Sequence, residues 1–170
     1  MVYRIKVIII GEAGVGKTSL VKKFVSGRFT SDYRVSIGAN LFVKELILDS
    51  DIDVSIQIWD IAGQEKWVKM RHLYYRGAQG ALIVGDITRE NTFEQLKDFW
   101  NPDLKKFCGD IPKILVLNKV DLKPMISKPE IEKLAQTVNV KATIFTSAKN
   151  GQNVEEAFHK IAKAIVTSNL

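Results

Sequence analysis

Hydrophobic positions along the chain fall into short runs whose spacing switches between two periods. Val2–Ile10 alternates and then turns wholly apolar through Val7-Ile8-Ile9-Ile10, the pattern of a central strand buried on both faces. Thr18, Leu20, Val21, Phe24 and Val25 recur at helical spacing, and Gly27 stands where a helix C-terminus favours glycine. The alternating runs 41–48 and 52–59 meet at Asp49-Ser50-Asp51, which predicts an antiparallel hairpin. Gly80–Asp86 reads as another buried strand. Phe93, Leu96 and Trp100 mark a helix that Asn101-Pro102 should break or kink before Leu104 and Phe107 resume its apolar side. A strand at 114–117, a helix carrying Ile131, Leu134, Ala135 and Val138, and a strand at Ala142–Phe145 follow. The closing helix places Val154, Ala157, Phe158, Ile161, Ala162 and Ile165 on one stripe. Segments 28–38 and 61–77 show neither period and read as loops.

Strands alternating with helices predict an α/β architecture over residues 1–170 as one domain. The expected sheet has six strands, mostly parallel with one antiparallel edge strand, and helices on both faces. Ligands of such sheets lie beyond the carboxyl ends of the strands. A composition 46% apolar and 26% charged supports a globular core without linkers or repeats. The net charge of +6 is scattered, with no block longer than pairs such as Lys22-Lys23 and Lys105-Lys106, so it reads as a solvated basic surface and no nucleic-acid partner is expected. The single Cys108 excludes an internal disulfide and reads as a half-buried small residue. No apolar run approaches a membrane span, and the N-terminus lacks a signal-peptide pattern.

Between the first strand and first helix lies Gly11-Glu12-Ala13-Gly14-Val15-Gly16-Lys17-Thr18, which matches the phosphate-loop pattern G-x-x-x-x-G-K-[ST] in the context the motif requires. Its glycines let successive N–H groups turn round a phosphate, and the helix start adds its positive dipole end. Gly11, Ala13, Gly14, Val15, Gly16, Lys17, Thr18 and Ser19 are the candidate phosphate contacts, with Lys17 reaching the β and γ phosphates and Thr18 offering its hydroxyl to Mg²⁺. Asp60 and Gly63 form a D-x-x-G element at the end of the third strand. Its carboxylate suits a metal-bound water, and its glycine suits close approach of an N–H to a γ phosphate. Asn118-Lys119-Val120-Asp121 follows the fifth strand and Thr146-Ser147-Ala148-Lys149 the sixth. The Asp121 carboxylate pairs with guanine N1–H and N2–H₂, whereas adenine would leave it unpaired. Asn118 supports the loop and the purine edge, the Lys119 stem covers the base, and the Ala148 N–H favours guanine O6. Asp49, Asp51 and Asp53 imitate a calcium loop, but Val54 and Asp60 stand at its glycine and glutamate positions. His72 and His159 lack ligand spacing.

The phosphate loop, Asp60-x-x-Gly63, Asn118-Lys119-x-Asp121 and Ser147-Ala148-Lys149, in this order, resemble a Ras-superfamily small GTPase with a P-loop NTPase G domain. Trp59-Asp60-Ile61-Ala62-Gly63-Gln64-Glu65 and Tyr74-Tyr75-Arg76-Gly77-Ala78 resemble the Rab branch most. The likeness spans essentially the whole chain. It implies a molecular switch that binds GTP or GDP with Mg²⁺, hydrolyses GTP slowly, and presents switch I (28–38) and switch II (61–77) to partners. By position it gives Ser36 as a second Mg²⁺ ligand beside Thr18, Asp60 acting through water, Gln64 as the residue that orients the attacking water, Lys17 as its catalytic companion, and Phe29 as packing on the guanine edge. An exchange factor, a GTPase-activating protein and effectors are the partners it implies. A monomer is expected, cytoplasmic or peripheral to membranes.

Some positions depart from the family pattern. Ser36 replaces the usual Thr and loses a β-branch, which predicts a looser GTP-bound switch I. Ala13 would project a methyl toward the γ phosphate and slow hydrolysis. Leu41 replaces a Phe common in an aromatic cluster with Trp59 and Tyr74, Ile61 replaces a Thr beside Asp60, and Arg34 lies near Ser36 as an exposed arginine. The alternative reading is therefore a guanine-nucleotide-binding interaction module with little or no hydrolysis. The chain ends at Thr167-Ser168-Asn169-Leu170 without a prenylation cysteine, so membrane association is expected only through partners or a tail beyond this sequence.

Overall fold

A computed structural model describes residues 1–27, 38–49, 51–64 and 70–170. β1 (Val2–Ile10) pairs in parallel with β3 (Ile52–Ile61) on one side and β4 (Gly80–Asp86) on the other. β2 (Ala39–Leu48) runs antiparallel to β3, from Ala39 opposite Ile61 to Leu48 opposite Ile52. β5 (Lys113–Asn118) and β6 (Ala142–Phe145) continue in parallel, giving the order β2-β3-β1-β4-β5-β6. The sheet is thus the mostly parallel, six-stranded α/β sheet that the alternation of periods predicts, with β2 as its antiparallel edge.

Period-two alternation divides the apolar side chains between two cores. Ile5, Val7 and Ile9 join Leu20, Phe24, Phe158 and Ile161 beneath α1 (Lys17–Ser26) and α6 (Val154–Ser168). Ile8 and Ile10 point the other way, toward Tyr75, Phe93, Leu96, Trp100 and Ile131 beneath the remaining helices. A strand buried on both faces cannot alternate with polar residues, which explains the unbroken 7–10 run. The Phe24 and Phe158 rings stack 4.2 Å apart and bind α1 to α6.

Two expectations need correction. Segment 61–77 is not all loop: Ile61 closes β3, and Arg71–Tyr75 forms a short helix, α2. Arg71 and Tyr75, one turn apart, are both buried, so tertiary burial stabilises a turn too short for its period to be read. Nor does Asn101-Pro102 break the helix after β4. α3 (Asn91–Gln95), a π-helical segment (Leu96–Trp100) and α4 (Asn101–Cys108) run on continuously. The Asn101 N–H bonds to Leu96 O, five residues back. Pro102 then falls in the first turn of α4, where a missing N–H and a fixed φ are tolerated. α5 (Lys128–Val138) begins at Ser127, whose hydroxyl accepts the Glu130 N–H.

Candidate functional site

β1 lies where the strand order turns outward in both directions, so the loop after it opens into the crevice between β3 and β4. That loop, 11–16, leads into α1 through Gly16, which takes φ 102° and caps the helix without any side-chain bond. The first-turn N–H groups of α1 therefore face the crevice with the positive end of the helix dipole. A Cβ on Gly16 would stand 2.3 Å from Asn118 Nδ2, so contact between the two loops requires glycine there. Val15 is buried beneath the loop, Ala13 is exposed, and Ser19 is half-buried in the first turn of α1.

Lys17 is only 6% exposed and curls back over its own loop, where Nζ donates to Gly11 O at 2.8 Å and Glu12 O at 2.9 Å. Burial lowers its pKa to about 8, against the opposing pull of Asp60 and Glu12. Thr18 Oγ1 donates to Asp60 Oδ2, and Asp60 is fully buried at the end of β3. A hydroxyl and a carboxylate meeting at a phosphate loop are hard oxygen donors of the kind Mg²⁺ takes, so the residues fit that ion. Ala62 donates to Gly38 O at 2.9 Å, bringing the end of the first loop against the start of the second. Gly63 approaches the phosphate loop so closely that a Cβ would lie 2.5 Å from Ala13 N and from Gly11 O. Gln64 follows, half-buried. Phe29, Arg34 and Ser36 lie outside the described residues.

On the other side, the loops after β5 and β6 are laced to the phosphate loop. Asn118 Nδ2 donates to Val15 O at 2.9 Å, while its Oδ1 accepts Thr146 Oγ1 at 3.1 Å and the Ala148 N–H at 3.3 Å. Both ends of the Asn118 amide thus serve protein contacts, and the Ala148 N–H expected to meet a base oxygen here meets Asn118. Lys119 adopts φ 71° and sends Nζ to Gly14 O at 2.9 Å. Asp121 is exposed, its carboxylate steadied at Oδ1 by Ser147 Oγ at 2.8 Å, and Lys149 is exposed as well. A solvent-facing carboxylate with one oxygen so fixed can accept a parallel pair of N–H donors.

The structure adds residues that the motifs do not name. Asp86, at the carboxyl end of β4, receives Lys119 Nζ at 2.8 Å and Arg89 Nε at 3.2 Å on the same oxygen. Burial works to raise the Asp86 carboxyl, but bonds from Lys119 and Thr88 outweigh it and hold it below the usual carboxylate range. Arg89 also donates to Ala13 O at 3.0 Å. Asp86 therefore binds two cations that each grip a phosphate-loop carbonyl. Its place at the end of a buried strand was the available signal, since loops at that edge meet the ligand crevice. Glu12 accepts Trp100 Nε1 at 2.9 Å, a link no sequence spacing foretells.

Among the described residues, no helix is long and apolar enough to cross a membrane. His72 is exposed and faces Phe107 at 5.9 Å, and Cys108 is half-buried with its thiol against Tyr75 O. Trp59 and Tyr74 meet at 5.9 Å, and Leu41, opposite Trp59 in the β2–β3 register, is 47% exposed.

A family model described as Ras family matches residues 6–167. The chain is 34% identical over 173 residues to the Ypt/Rab-type GTPase YPT7 of Saccharomyces cerevisiae, covering 97% of this chain and 83% of that protein. It is 38% identical over 167 residues to ypt7 of Schizosaccharomyces pombe, covering 94% and 80%. Against human Ras-related protein Rab-8B it is 37% identical over 167 residues, covering 97% and 80%.

Proposed function

The chain belongs to the Ras family as a Rab-like small GTPase, and from that premise we propose that it is a switch that binds GTP and GDP with Mg²⁺ and hydrolyses GTP slowly. The observation that carries this reading is Asn118, which clamps the loop bearing Asp121 to the loop bearing Lys17. A phosphate cradle and a guanine-selective carboxylate then belong to one rigid unit. Gly11, Ala13, Gly14, Val15, Gly16 and Ser19 present backbone and hydroxyl groups to the phosphates. Lys17 leaves its carbonyl partners for the β and γ oxygens. Thr18 and, through water, Asp60 hold Mg²⁺ with Ser36. The bound ion neutralises charge on the phosphates. Gly63 presents its N–H at the γ phosphate and Gln64 orients the attacking water. Asp121 reads guanine, with Ser147 fixing its carboxylate, Ala148 turning its N–H to O6, and Lys119, Lys149 and Phe29 flanking the base.

Output is partner binding through segments 28–38 and 61–77, with an exchange factor, an activating protein and effectors as the partner classes. On this reading the working compartment is the cytoplasm, with the protein peripheral to membranes. The exposed Ala13 keeps a second reading alive, a nucleotide-dependent interaction module with little hydrolysis. Phosphate release from GTP and from ATP, each with and without Mg²⁺, decides between them. Release from GTP alone, dependent on Mg²⁺, supports the switch; tight GTP binding without release supports the module; no preference for GTP overturns both.

A further inference from the structure

The phosphate loop has a further attachment, made by a side chain to which no nucleotide contact is assigned. Trp100 is 1% exposed, and its indole N–H reaches across the molecule to Glu12 Oε1 at 2.9 Å. The other side of the same residue meets α2. The Arg71 guanidinium carbon lies 4.7 Å from the Trp100 ring centroid and 4.6 Å from that of Phe99, and these two rings stand edge to face 5.0 Å apart. Arg71 is itself only 2% exposed. Among the described residues its carboxylate neighbour is Asp103, 3.5 Å from Nε, and neither Nε nor Nη2 makes a hydrogen bond to any of them. A buried guanidinium without hydrogen bonds at Nε and Nη2 rests on the Asp103 charge and on the aromatic faces beneath it.

The π-helical segment supplies the geometry. Leu96–Trp100 widens the helix by one residue, and Trp100 is its last member before Asn101 bonds back to Leu96 O. Such widenings turn side chains off the ordinary helical register and occur often at functional sites. Here the widening sits where one side chain contacts both the phosphate loop and the helix that follows Gln64.

We infer that Trp100 is a positioning residue that couples the phosphate loop to the second switch, its N–H holding Glu12 and its ring holding Arg71. Movement of the loop on phosphate binding passes through Glu12 to Trp100 and shifts the seat of Arg71, and with it the start of α2. The inference rests on the switch reading above, and concerns how that switch is transmitted.

The test uses wild type, Glu12→Ala, Glu12→Gln, Trp100→Phe and the Glu12→Ala/Trp100→Phe double variant. Phe keeps a ring under Arg71 but has no N–H, and Gln keeps an oxygen acceptor for the indole. Each is loaded with GDP or a non-hydrolysable GTP analogue. Amide hydrogen exchange is followed across Arg71–Tyr75, alongside nucleotide affinity, single-turnover GTP hydrolysis and thermal melting. Wild type should protect α2 differently in the two states. That difference should shrink by about threefold to tenfold in Glu12→Ala and in Trp100→Phe, the size of one ordinary lost hydrogen bond, with GDP affinity within about threefold of wild type. Glu12→Gln should restore it, and the double variant should be no worse than the poorer single. An unchanged exchange difference in Glu12→Ala, failure of Glu12→Gln to restore it, or additive effects in the double variant would overturn the coupling. Should Trp100→Phe fail to fold, the Glu12 pair still decides. Wild type that binds no guanine nucleotide would instead overturn the switch reading.

Discussion

Asn118 and Val15 are joined by a 2.9 Å hydrogen bond that spans most of the chain's length, from the end of β5 to the phosphate loop after β1. Because the acceptor is a backbone carbonyl and the donor's other end takes Thr146 and Ala148, one buried amide fixes three loops at once.

Asn118→Ala leaves the Val15 carbonyl and the Thr146 hydroxyl without these partners inside the protein. Loss of about 3 kcal/mol of stability is expected, from buried polar groups at about 1–3 kcal/mol each. For a domain of this size that lowers the melting temperature by about 6–12 °C. Calorimetry checks the stability, and nucleotide affinity measured beside it should fall at least about tenfold.

Lys17 makes nucleotide affinity depend on pH. Burial lowers its pKa to about 8 in the ligand-free protein, and neighbouring phosphates would raise it again. Below pH 8 the ammonium is present in both states and affinity is flat. Above pH 8 a proton must be taken up on binding, so affinity falls as pH rises. The same depressed pKa makes the ligand-free fold gain stability between pH 8 and the ordinary lysine value, because there the unfolded chain binds more protons than the folded one. Calorimetric titration at pH 9 in buffers of different ionisation enthalpy should show proton uptake, and at pH 7 none.

Arg89→Ala removes a cation from Ala13 O, and the expected result is nucleotide release faster by about threefold to tenfold, since the side chain is 40% exposed and its Asp86 pair is screened. Asp86→Ala should have the larger effect, because it unseats Lys119 from the same carboxylate oxygen. Stopped-flow displacement of a fluorescent guanine nucleotide ranks the two, and equal rates would show that the shared carboxylate is not the anchor.

Gly63→Ala forces the D-x-x-G loop off the phosphate loop, because the new methyl meets backbone atoms of Gly11, Glu12 and Ala13 at 2.5–2.6 Å. Backbone cannot swing aside as a side chain can. GDP affinity should stay within about threefold, while single-turnover hydrolysis should fall by at least about tenfold as Gln64 loses its position. A wild-type rate would show that the contact is not maintained when nucleotide is bound.

Much of this is legible in the sequence. The strand at Val2–Ile10, the Gly27 helix stop and the hairpin at 49–51 rest on local spacing and backbone preference, which a short window contains. The motif residues were legible for the same reason, since each motif is contiguous. The short helix Arg71–Tyr75 is not legible there because burial against Phe99, Trp100 and Asp103 stabilises it, and nothing within it announces that. Pro102 misled because the π-helical widening before it places it in a helix's first turn.

By itself, then, the sequence determined the order of the strands, the phosphate loop, and the contiguous Asn118-Lys119-x-Asp121 motif, because periodicity and motif spacing are local. Only the tertiary structure decided that Asp86 would bind Lys119 and Arg89, that Asn118 would spend both ends of its amide on the protein, and that Trp100 would stand between Glu12 and Arg71. These pairings depend on which strand ends meet in space and which side chains are driven out of water together, and such distances are set by packing rather than by sequence separation.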